Sequence, residues 1–350
     1  TENPYNYLPE EEANARVAEL YEQPQAAPLQ VLNQPKPNVL FVILESYTAK
    51  MVGCMGGAEG VTPALDALAK NGILFDNIYS SGDRSEKGLV ALLSGYPVQT
   101  TTSIIKTPKK TEQLPHLAEV FKQNGYSTSF YYGGELAFAN IKSYLLNAGY
   151  ERLISKYDFP EESYNSKWGV HDHVLLERLM QDLSQEQKPF FSTVFTLSSH
   201  EPYEVPIQAK FPGADEATLF QNSCYYTDQA VGDFMEEAQK QPWWDNTLVV
   251  LVADHGHALP TYDPNYAPTK FRIPLIFTGG ALTVRDTTIH TLGSQTDIAT
   301  TLLTQLNLPH EQFKWGKNLL NPQAKPFAFY VFNDGFGWVT KEGVVTFDNV

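Results

Sequence analysis

Cysteine and positive charge are both scarce in this chain. Two cysteines, Cys54 and Cys224, occur among 350 residues, and they are too few and too far apart for a disulfide framework or a zinc knuckle. The 40 acidic residues outnumber the 25 basic ones, which gives a formal net charge of −15, and KTPKK at 106–110 is the one basic run. Proteins bind nucleic acid through clustered Lys and Arg, so we expect no nucleic-acid partner.

Long apolar runs are absent as well. No stretch approaches the ~18 apolar residues of a membrane span, and the N-terminal residues lack the basic and apolar regions of a signal peptide. These absences predict a soluble chain. Because it starts at Thr1 rather than Met and its last ten residues read as a strand, we expect a mature or excised portion of a longer protein. Membrane attachment would then use a segment outside this chain.

The composition supports a sizeable folded core, since 42% of the residues are hydrophobic and 13% are aromatic. Three regions are predicted. Residues 1–36 form a polar arm with a short helix over 10–22 and a Pro/Gln-rich linker. Residues 37–310 form the main domain. Residues 311–350 form a small C-terminal subdomain, cut short at its end, whose short strands and Gly-containing turns from Phe327 onward indicate an antiparallel element.

Strand and helix patterns alternate through the main domain. The run NVLFVILE at 38–45 is almost continuously apolar, which is typical of a strand covered on both faces in a parallel sheet. Further strands are predicted over 73–79, 127–132, 190–197, 247–253 and 273–278, and helices from Pro63, from Ser85, and over 114–123, 171–183, 224–239 and 296–306. The alternation predicts an α/β fold with a mostly parallel central sheet and helices on both faces.

Polar residues follow four of the predicted strands. In open α/β sheets the functional crevice lies outside the carboxyl ends of the strands, so these side chains are expected at one edge. They comprise carboxylates, a hydroxyl and imidazoles: Glu45, Ser85, His200, Asp254, His255 and His257.

Each candidate has an ordinary structural alternative. Ser85 stands between a polar turn and a helix, where serine commonly caps the helix. Glu45 can be an exposed strand-end acid, and His200 can cap a loop. Asp254 and His255 are adjacent metal-type donors followed by a glycine, which favours a cation site. A divalent ion on these residues would turn the Ser85 hydroxyl into a nucleophile, and the helix N-terminus would favour a bound phosphate.

Several segments carry a family resemblance. The likeness covers about 37–307, and its segments are PNVLFVILES, GDRSEKGLVALLSGYP, FYYGGELAFANIKSYLLNAGY, WGVHDHVLLERL, TLSSHEPY, ADHGHALP and FRIPLIFTGG. Their order resembles that of the lipoteichoic acid synthase and phosphoglycerol transferase family. That family belongs to the alkaline-phosphatase-like (sulfatase) superfamily.

The resemblance implies a site and a reaction. One divalent ion, Mn²⁺ with Mg²⁺ or Zn²⁺ as alternatives, would be held by the matching residues Glu45, Ser85, Asp254 and His255. His200 resembles the histidine that contacts the phosphate group near the leaving or entering oxygen. The reaction implied is a two-step transfer through a phospho-ester on the nucleophile, commonly of glycerol phosphate from phosphatidylglycerol, outside the cytoplasmic membrane. The substrate would be a glycerophospholipid or a glycan phosphodiester.

Two features depart from the family pattern. Many members use threonine where this chain has Ser85. Lipoteichoic acid synthases resemble Trp-x-Arg where this chain has Tyr132 and two glycines, so a substrate-binding arginine is missing and the identity of the donor group stays undecided. Arg84 could supply a cationic clamp or pair with a neighbouring acid. The remaining residues predicted to line the cleft are Trp168, His257, Tyr132 and Glu135, with packing roles as the alternatives.

Rival functions of the same fold are less well matched. Sulfatases resemble Cys/Ser-x-Pro-x-Arg at the nucleophile, whereas 85–89 reads SEKGL. Phosphoethanolamine transferases typically use threonine and carry several disulfides. A non-catalytic relative would have no need of a nucleophile together with metal donors. The sequence therefore predicts a metal-dependent phosphoglycerol transferase or phosphodiesterase.

Overall fold

A computed structural model describes residues 5–349, so Thr1, the other first residues of the predicted arm and Val350 lie outside the described part. The strands are β1 (Asn38–Leu44), β2 (Ile73–Tyr79), β3 (Ser127–Tyr132), β4 (Arg152–Ile154), β5 (Phe190–Phe195), β6 (Thr247–Ala253), β7 (Arg272–Thr278), β8 (Thr287–Ile289), β9 (Gly293–Ser294), β10 (Phe327–Phe332), β11 (Gly335–Thr340) and β12 (Val344–Asp348). The helices are α1 (Glu10–Leu20), α2 (Pro63–Lys70), α3 (Ser85–Ser94), α4 (Pro108–Thr111), α5 (Leu117–Gln123), α6 (Ile141–Asn147), α7 (Asp172–Leu183), α8 (Glu216–Ala238), α9 (Pro268–Phe271) and α10 (Thr296–Gln305).

The central sheet has the order β4-β3-β5-β1-β6-β7-β2-β8, with β9 also beside β2. Strands β4, β3, β5, β1 and β6 are mutually parallel, and β8 and β9 run parallel to β2. Strand β7 is antiparallel to both of its neighbours. The C-terminal strands β10, β11 and β12 form a separate antiparallel sheet. The predicted mostly parallel sheet and small C-terminal antiparallel element are therefore confirmed.

The core lies between the central sheet and the helices around it. Every residue of β1 and β6 is buried, which explains why both strands are apolar after their first residue. The ring of Phe121 on α5 stacks on Phe191 of β5 with a centroid distance of 4.2 Å. Burying one large apolar side chain contributes about 1.5–3 kcal/mol, so such contacts hold the helices against the sheet. Among the described residues, no helix is long and apolar enough to cross a bilayer.

The N-terminal arm packs along the C-terminal segment. The ring of Tyr21 contacts the ring of Phe327 at 5.4 Å, and the Leu29 amide donates to the Leu320 carbonyl at 2.9 Å. A buried ion pair of 3.1 Å between Lys317 and Asp297 joins the same segment to α10. The boundaries 1–36, 37–310 and 311–350 remain predictions.

The structure differs from the sequence-based prediction in several elements. Helix α8 begins at Glu216 rather than at 224, because Asp215 caps it by accepting from the Thr218 amide at 3.0 Å. Ser85 is the first residue of α3, and Arg84 occupies the N-cap position. The alternative that Ser85 is the cap is therefore wrong. Three short strands, β4, β8 and β9, and helix α6 had no pattern strong enough to predict them.

Candidate metal and nucleophile site

The site forms where β1 and β6 end side by side. These strands are parallel neighbours with Leu44 opposite Ala253, so the residues that follow, Glu45 and Asp254, are brought next to each other. His255 comes next in the chain. One ligand atom from each of Glu45, Asp254 and His255 lies within 4.8 Å of the others. Sequence reasoning had assigned these three residues to one cation site, and the fold brings them together.

The two carboxylates are held in fixed orientations. Glu45 Oε1 accepts from Ser46 Oγ at 2.7 Å, and Glu45 Oε2 accepts from Ser85 Oγ at 3.1 Å. Asp254 Oδ1 accepts from the amides of Ser46 and His255, both at 2.8 Å. Asp254 Oδ2 is buried and has no hydrogen-bond partner among residues 5–349. An unpaired buried oxygen is costly, so this atom fits a cation ligand.

The imidazole of His255 is oriented like a metal ligand. Its Nδ1 lies 2.6 Å from the carbonyl oxygen of Gly256, which can only accept, so Nδ1 carries a proton. Its Nε2 faces the carboxylates, 3.4 Å from Glu45 Oε1 and 3.5 Å from Asp254 Oδ2. Histidines that bind metals commonly donate their other ring N–H to a carbonyl or carboxylate in this way.

Electrostatics at the cluster favour a positive group. Burial alone would raise the pKa of Glu45, but the hydrogen bond and charge of His255 outweigh it and hold that pKa low. Burial and the Glu45 charge raise the pKa of Asp254. Burial would lower the pKa of His255, but Asp254 and Glu45 raise it above its ordinary value. Carboxylate and imidazole donors suit Mn²⁺, Mg²⁺ and Zn²⁺ alike, so the residues fit a divalent ion without selecting one.

Residues that sequence reasoning missed hold Glu45 from the β5 side. The Glu45 amide donates to Thr196 Oγ1 at 3.0 Å, and Ser199 Oγ donates to the Glu45 carbonyl at 2.5 Å. The fully buried Asp172 accepts from the Leu197 amide at 2.7 Å. The only sequence signal for this support is the polar run TLSSH directly after an apolar strand.

His200 lies exposed at the rim of the site. The charge of His200 helps to hold the pKa of Glu45 low. His200 Nδ1 donates to the Glu201 carbonyl at 2.9 Å, so Nε2 is the nitrogen that can meet a ligand. The ring of Trp168 contacts the His200 ring edge to face at 5.1 Å, and its indole N–H donates to the same Glu201 carbonyl at 2.8 Å.

His257 is held inside the protein by both ring nitrogens. Its Nδ1 accepts from the Leu259 amide at 3.0 Å, and its Nε2 lies 3.2 Å from the Tyr203 hydroxyl. Its ring stacks on Phe220 at 4.4 Å. Burial, with the nearby charge of His255, lowers the pKa of His257 to about 4. The histidine is therefore a neutral, packed side chain in this structure.

Tyr132 ends β3 and Glu135 lies three residues further on, and the two side chains have different surroundings. Tyr132 stacks on Phe195 at 5.1 Å. Burial, followed by the charge of Glu45, raises its pKa. Glu135 accepts from the Ala137 amide at 2.9 Å, and a hydrogen bond from a neighbouring tyrosine hydroxyl lowers its pKa. Its partners lie in surface turns rather than in the cluster.

Arg84 is exposed beside the nucleophile. The alternative role for it was an ion pair with Asp83 or Glu86. Asp83 instead pairs with Lys270 at 3.2 Å, and within residues 5–349 Arg84 forms no ion pair. Its guanidinium can therefore meet an anionic ligand.

Comparison with known proteins agrees with the family resemblance of the sequence. Residues 37–308 match the sulfatase family. The lipoteichoic acid synthase-like protein YvgJ of Bacillus subtilis (strain 168) is 24% identical over 335 residues, covering 88% of this chain and 53% of that protein. Phosphoglycerol transferase I of Xanthomonas euvesicatoria pv. vesicatoria (strain 85-10) is 26% identical over 288 residues, covering 77% of this chain and 41% of that protein. The chain thus spans about half the length of these relatives.

A solved structure extends the agreement to nearly the whole chain. The crystal structure of a protein in the alkaline phosphatase superfamily from Vibrio parahaemolyticus superposes with a TM-score of 0.87 and 27% identity, covering 98% of this chain and 87% of that one. These matches confirm the resemblance found in the sequence segments.

Proposed function

The chain belongs to the sulfatase family, and from that premise we propose that it is a metal-dependent phosphoglycerol transferase or phosphodiesterase acting through an ester on Ser85. The observation that carries the proposal is the position of the Ser85 hydroxyl, 3.1 Å from Glu45 Oε2. That carboxylate belongs to the buried Glu45, Asp254 and His255 group.

The metal site would be formed by Glu45, Asp254 and His255 together with Ser85. A divalent ion, Mn²⁺ as first choice, would lower the pKa of the serine hydroxyl and offset the charge of a bound phosphodiester. The orphaned Asp254 Oδ2 and the inward-facing His255 Nε2 support this fit.

Each protein group has a defined task in the first transfer. Ser85 Oγ forms a bond to phosphorus while the bond from phosphorus to the departing alcohol oxygen breaks. Glu45 Oε2 accepts the hydrogen bond that orients the hydroxyl, and the hydroxyl proton leaves to water. The departing oxygen takes a proton from His200 Nε2, while Nδ1 keeps its hydrogen bond to the Glu201 carbonyl. The first N–H groups of α3 bind the phosphoryl oxygens. In the second step water or an acceptor hydroxyl attacks phosphorus and releases Ser85, with the proton transfers reversed.

The substrate class rests on the relatives rather than on the pocket. Proteins named phosphoglycerol transferase I and lipoteichoic acid synthase-like support a glycerophospholipid donor and a lipid or glycan acceptor. Arg84 and Trp168 would contact the donor beside the nucleophile, and Tyr132 would border the cleft, while Glu135 and His257 would shape it indirectly. Such a reaction takes place outside the cytoplasmic membrane, where a segment outside this chain would provide attachment.

The test uses Ser85→Ala with Ser85→Thr as its matched control. We expect Mn²⁺-stimulated hydrolysis of a chromogenic glycerol phosphodiester to fall at least ~10³-fold in Ser85→Ala. Ser85→Thr should keep activity, because threonine presents the same hydroxyl. Metal content is measured on both variants. Unchanged turnover in Ser85→Ala would remove this residue from the reaction. An aryl sulfate tested in parallel distinguishes sulfatase activity.

A further inference from the structure

The nucleophile and the metal ligands lie on strands that are not neighbours. Strand β6 leads to Asp254 and β2 leads to the turn before Ser85, with the antiparallel β7 between them. Pairing between β6 and β7 ends at Val252, which is opposite Leu275. The last part of β6 therefore needs another partner on that side.

The side chain of Gln295 fills this gap. It is fully buried. Its Nε2 donates to the carbonyl oxygens of Ala253 at 2.9 Å and Asp254 at 2.6 Å, and its Oε1 accepts from the Ser81 amide at 2.9 Å. Its own backbone amide donates to Tyr79 at 3.2 Å. A carboxamide carries a carbonyl acceptor and two N–H donors, one donor more than a peptide unit, so Gln295 can replace the missing rung of the sheet and bind two carbonyls at once.

A second contact makes this bridge relevant to the reaction. The Asp254 carbonyl that Gln295 binds also lies against Gly88 in the first turn of α3, where an added Cβ would be 1.9 Å from the oxygen. The helix that starts at Ser85 therefore packs directly on the backbone of a metal-ligand residue. Any movement of that carbonyl changes the distance between nucleophile and ligands.

We propose that Gln295 is a positioning residue that fixes Ser85 relative to Asp254 by tying the turn at Ser81 to the end of β6. It contacts neither substrate nor the proposed ligand atoms, and it acts through the backbone of both loops. The inference rests on the proposed function, because it assigns a role in that same reaction.

The chain offers a matched control for a purely structural role. Gln305, at the end of α10, is also buried and also bridges backbone groups. Its Oε1 accepts from the Val31 amide at 2.9 Å, and its Nε2 donates to the Leu29 carbonyl at 2.7 Å. This bridge attaches the N-terminal arm and lies away from the strand ends that carry the site.

The experiment compares Gln295→Met, Gln295→Glu and Gln305→Met in the full chain. Methionine keeps the size of the side chain and removes all three hydrogen bonds. An ionised glutamate can still accept from the Ser81 amide but can donate to neither carbonyl, and it serves as the second variant should Gln295→Met fail to fold. The readouts are kcat and KM for the phosphodiester, Mn²⁺ affinity by calorimetry and the thermal unfolding midpoint.

We expect both Gln295 variants to lose about 10- to 100-fold in kcat or in Mn²⁺ affinity, as removal of a group supporting metal ligands commonly does, with little change in KM. Gln305→Met should lower the unfolding midpoint but keep kcat and Mn²⁺ affinity. The proposal is overturned if folded Gln295 variants match Gln305→Met in kcat and Mn²⁺ affinity. Failure of the function itself is recognised separately, because the unmodified chain would then show no Mn²⁺-stimulated turnover, or Ser85→Ala would retain it.

Discussion

Gly88 provides a direct test of how closely α3 must approach the metal ligands. In the substitution Gly88→Ala, the new Cβ would lie 1.9 Å from the Asp254 carbonyl oxygen. Carbon and carbonyl oxygen without a covalent bond need about 3.3 Å, so the helix or the Asp254 backbone must shift by about 1.4 Å. Misplacing reacting groups by ~1 Å costs about 10²-fold in rate. We therefore expect kcat/KM for the phosphodiester to fall at least ~10²-fold.

The helix itself should tolerate the change. Alanine is favoured over glycine inside a helix by roughly 0.5–1 kcal/mol, so lost activity would come from displacement rather than from unwinding. Gly232→Ala in α8 is the matched control. Its new Cβ would also be too close to a neighbour, at 2.8 Å, but that neighbour is the Ala64 side chain rather than a residue of the site. It should keep its kcat/KM. Circular dichroism confirms folding of both variants. A folded Gly88→Ala enzyme with wild-type kcat/KM would refute the reasoning.

Three further predictions concern ion binding and stability. Asp254→Asn should abolish the stabilisation by Mn²⁺, which for the wild type raises the free energy of unfolding by about 2.7 kcal/mol at 100 times Kd; an equal gain in the variant, measured by denaturant titration with and without Mn²⁺, contradicts the site. Burial lowers the pKa of His116 to about 4 from 6.5, so the unfolded chain binds the proton first as pH falls. Denaturant titration should show about 2 kcal/mol of stability lost between pH 7.5 and pH 5 from this residue, and a loss of the same size in His116→Gln would contradict it. Asp297→Asn leaves the ammonium of Lys317 buried, so urea unfolding should show a loss of about 3–5 kcal/mol, and a change below ~1 kcal/mol would contradict the importance of this pair.

The fold and the candidate site could be predicted from local patterns. The apolar run of β1 indicated a doubly covered strand, and strand ends in a parallel sheet meet at one edge. Glu45 and Asp254 each directly follow such a run, and His255 is the next residue, so their convergence followed from topology. The direction of β7 could not be predicted, because a short apolar strand has the same pattern in either orientation.

The supporting residues escaped prediction for a different physical reason. Gln295, Asp172 and Ser199 are polar side chains that bind backbone groups where regular strand pairing stops. Buried backbone groups need partners wherever a ladder ends, but the sequence does not reveal where it ends or which distant side chain reaches the gap. Such residues set the geometry of the site through the backbone. It follows that substitutions at them should change rate and ion affinity more than substrate binding, whereas changes at exposed Arg84 should mainly change KM.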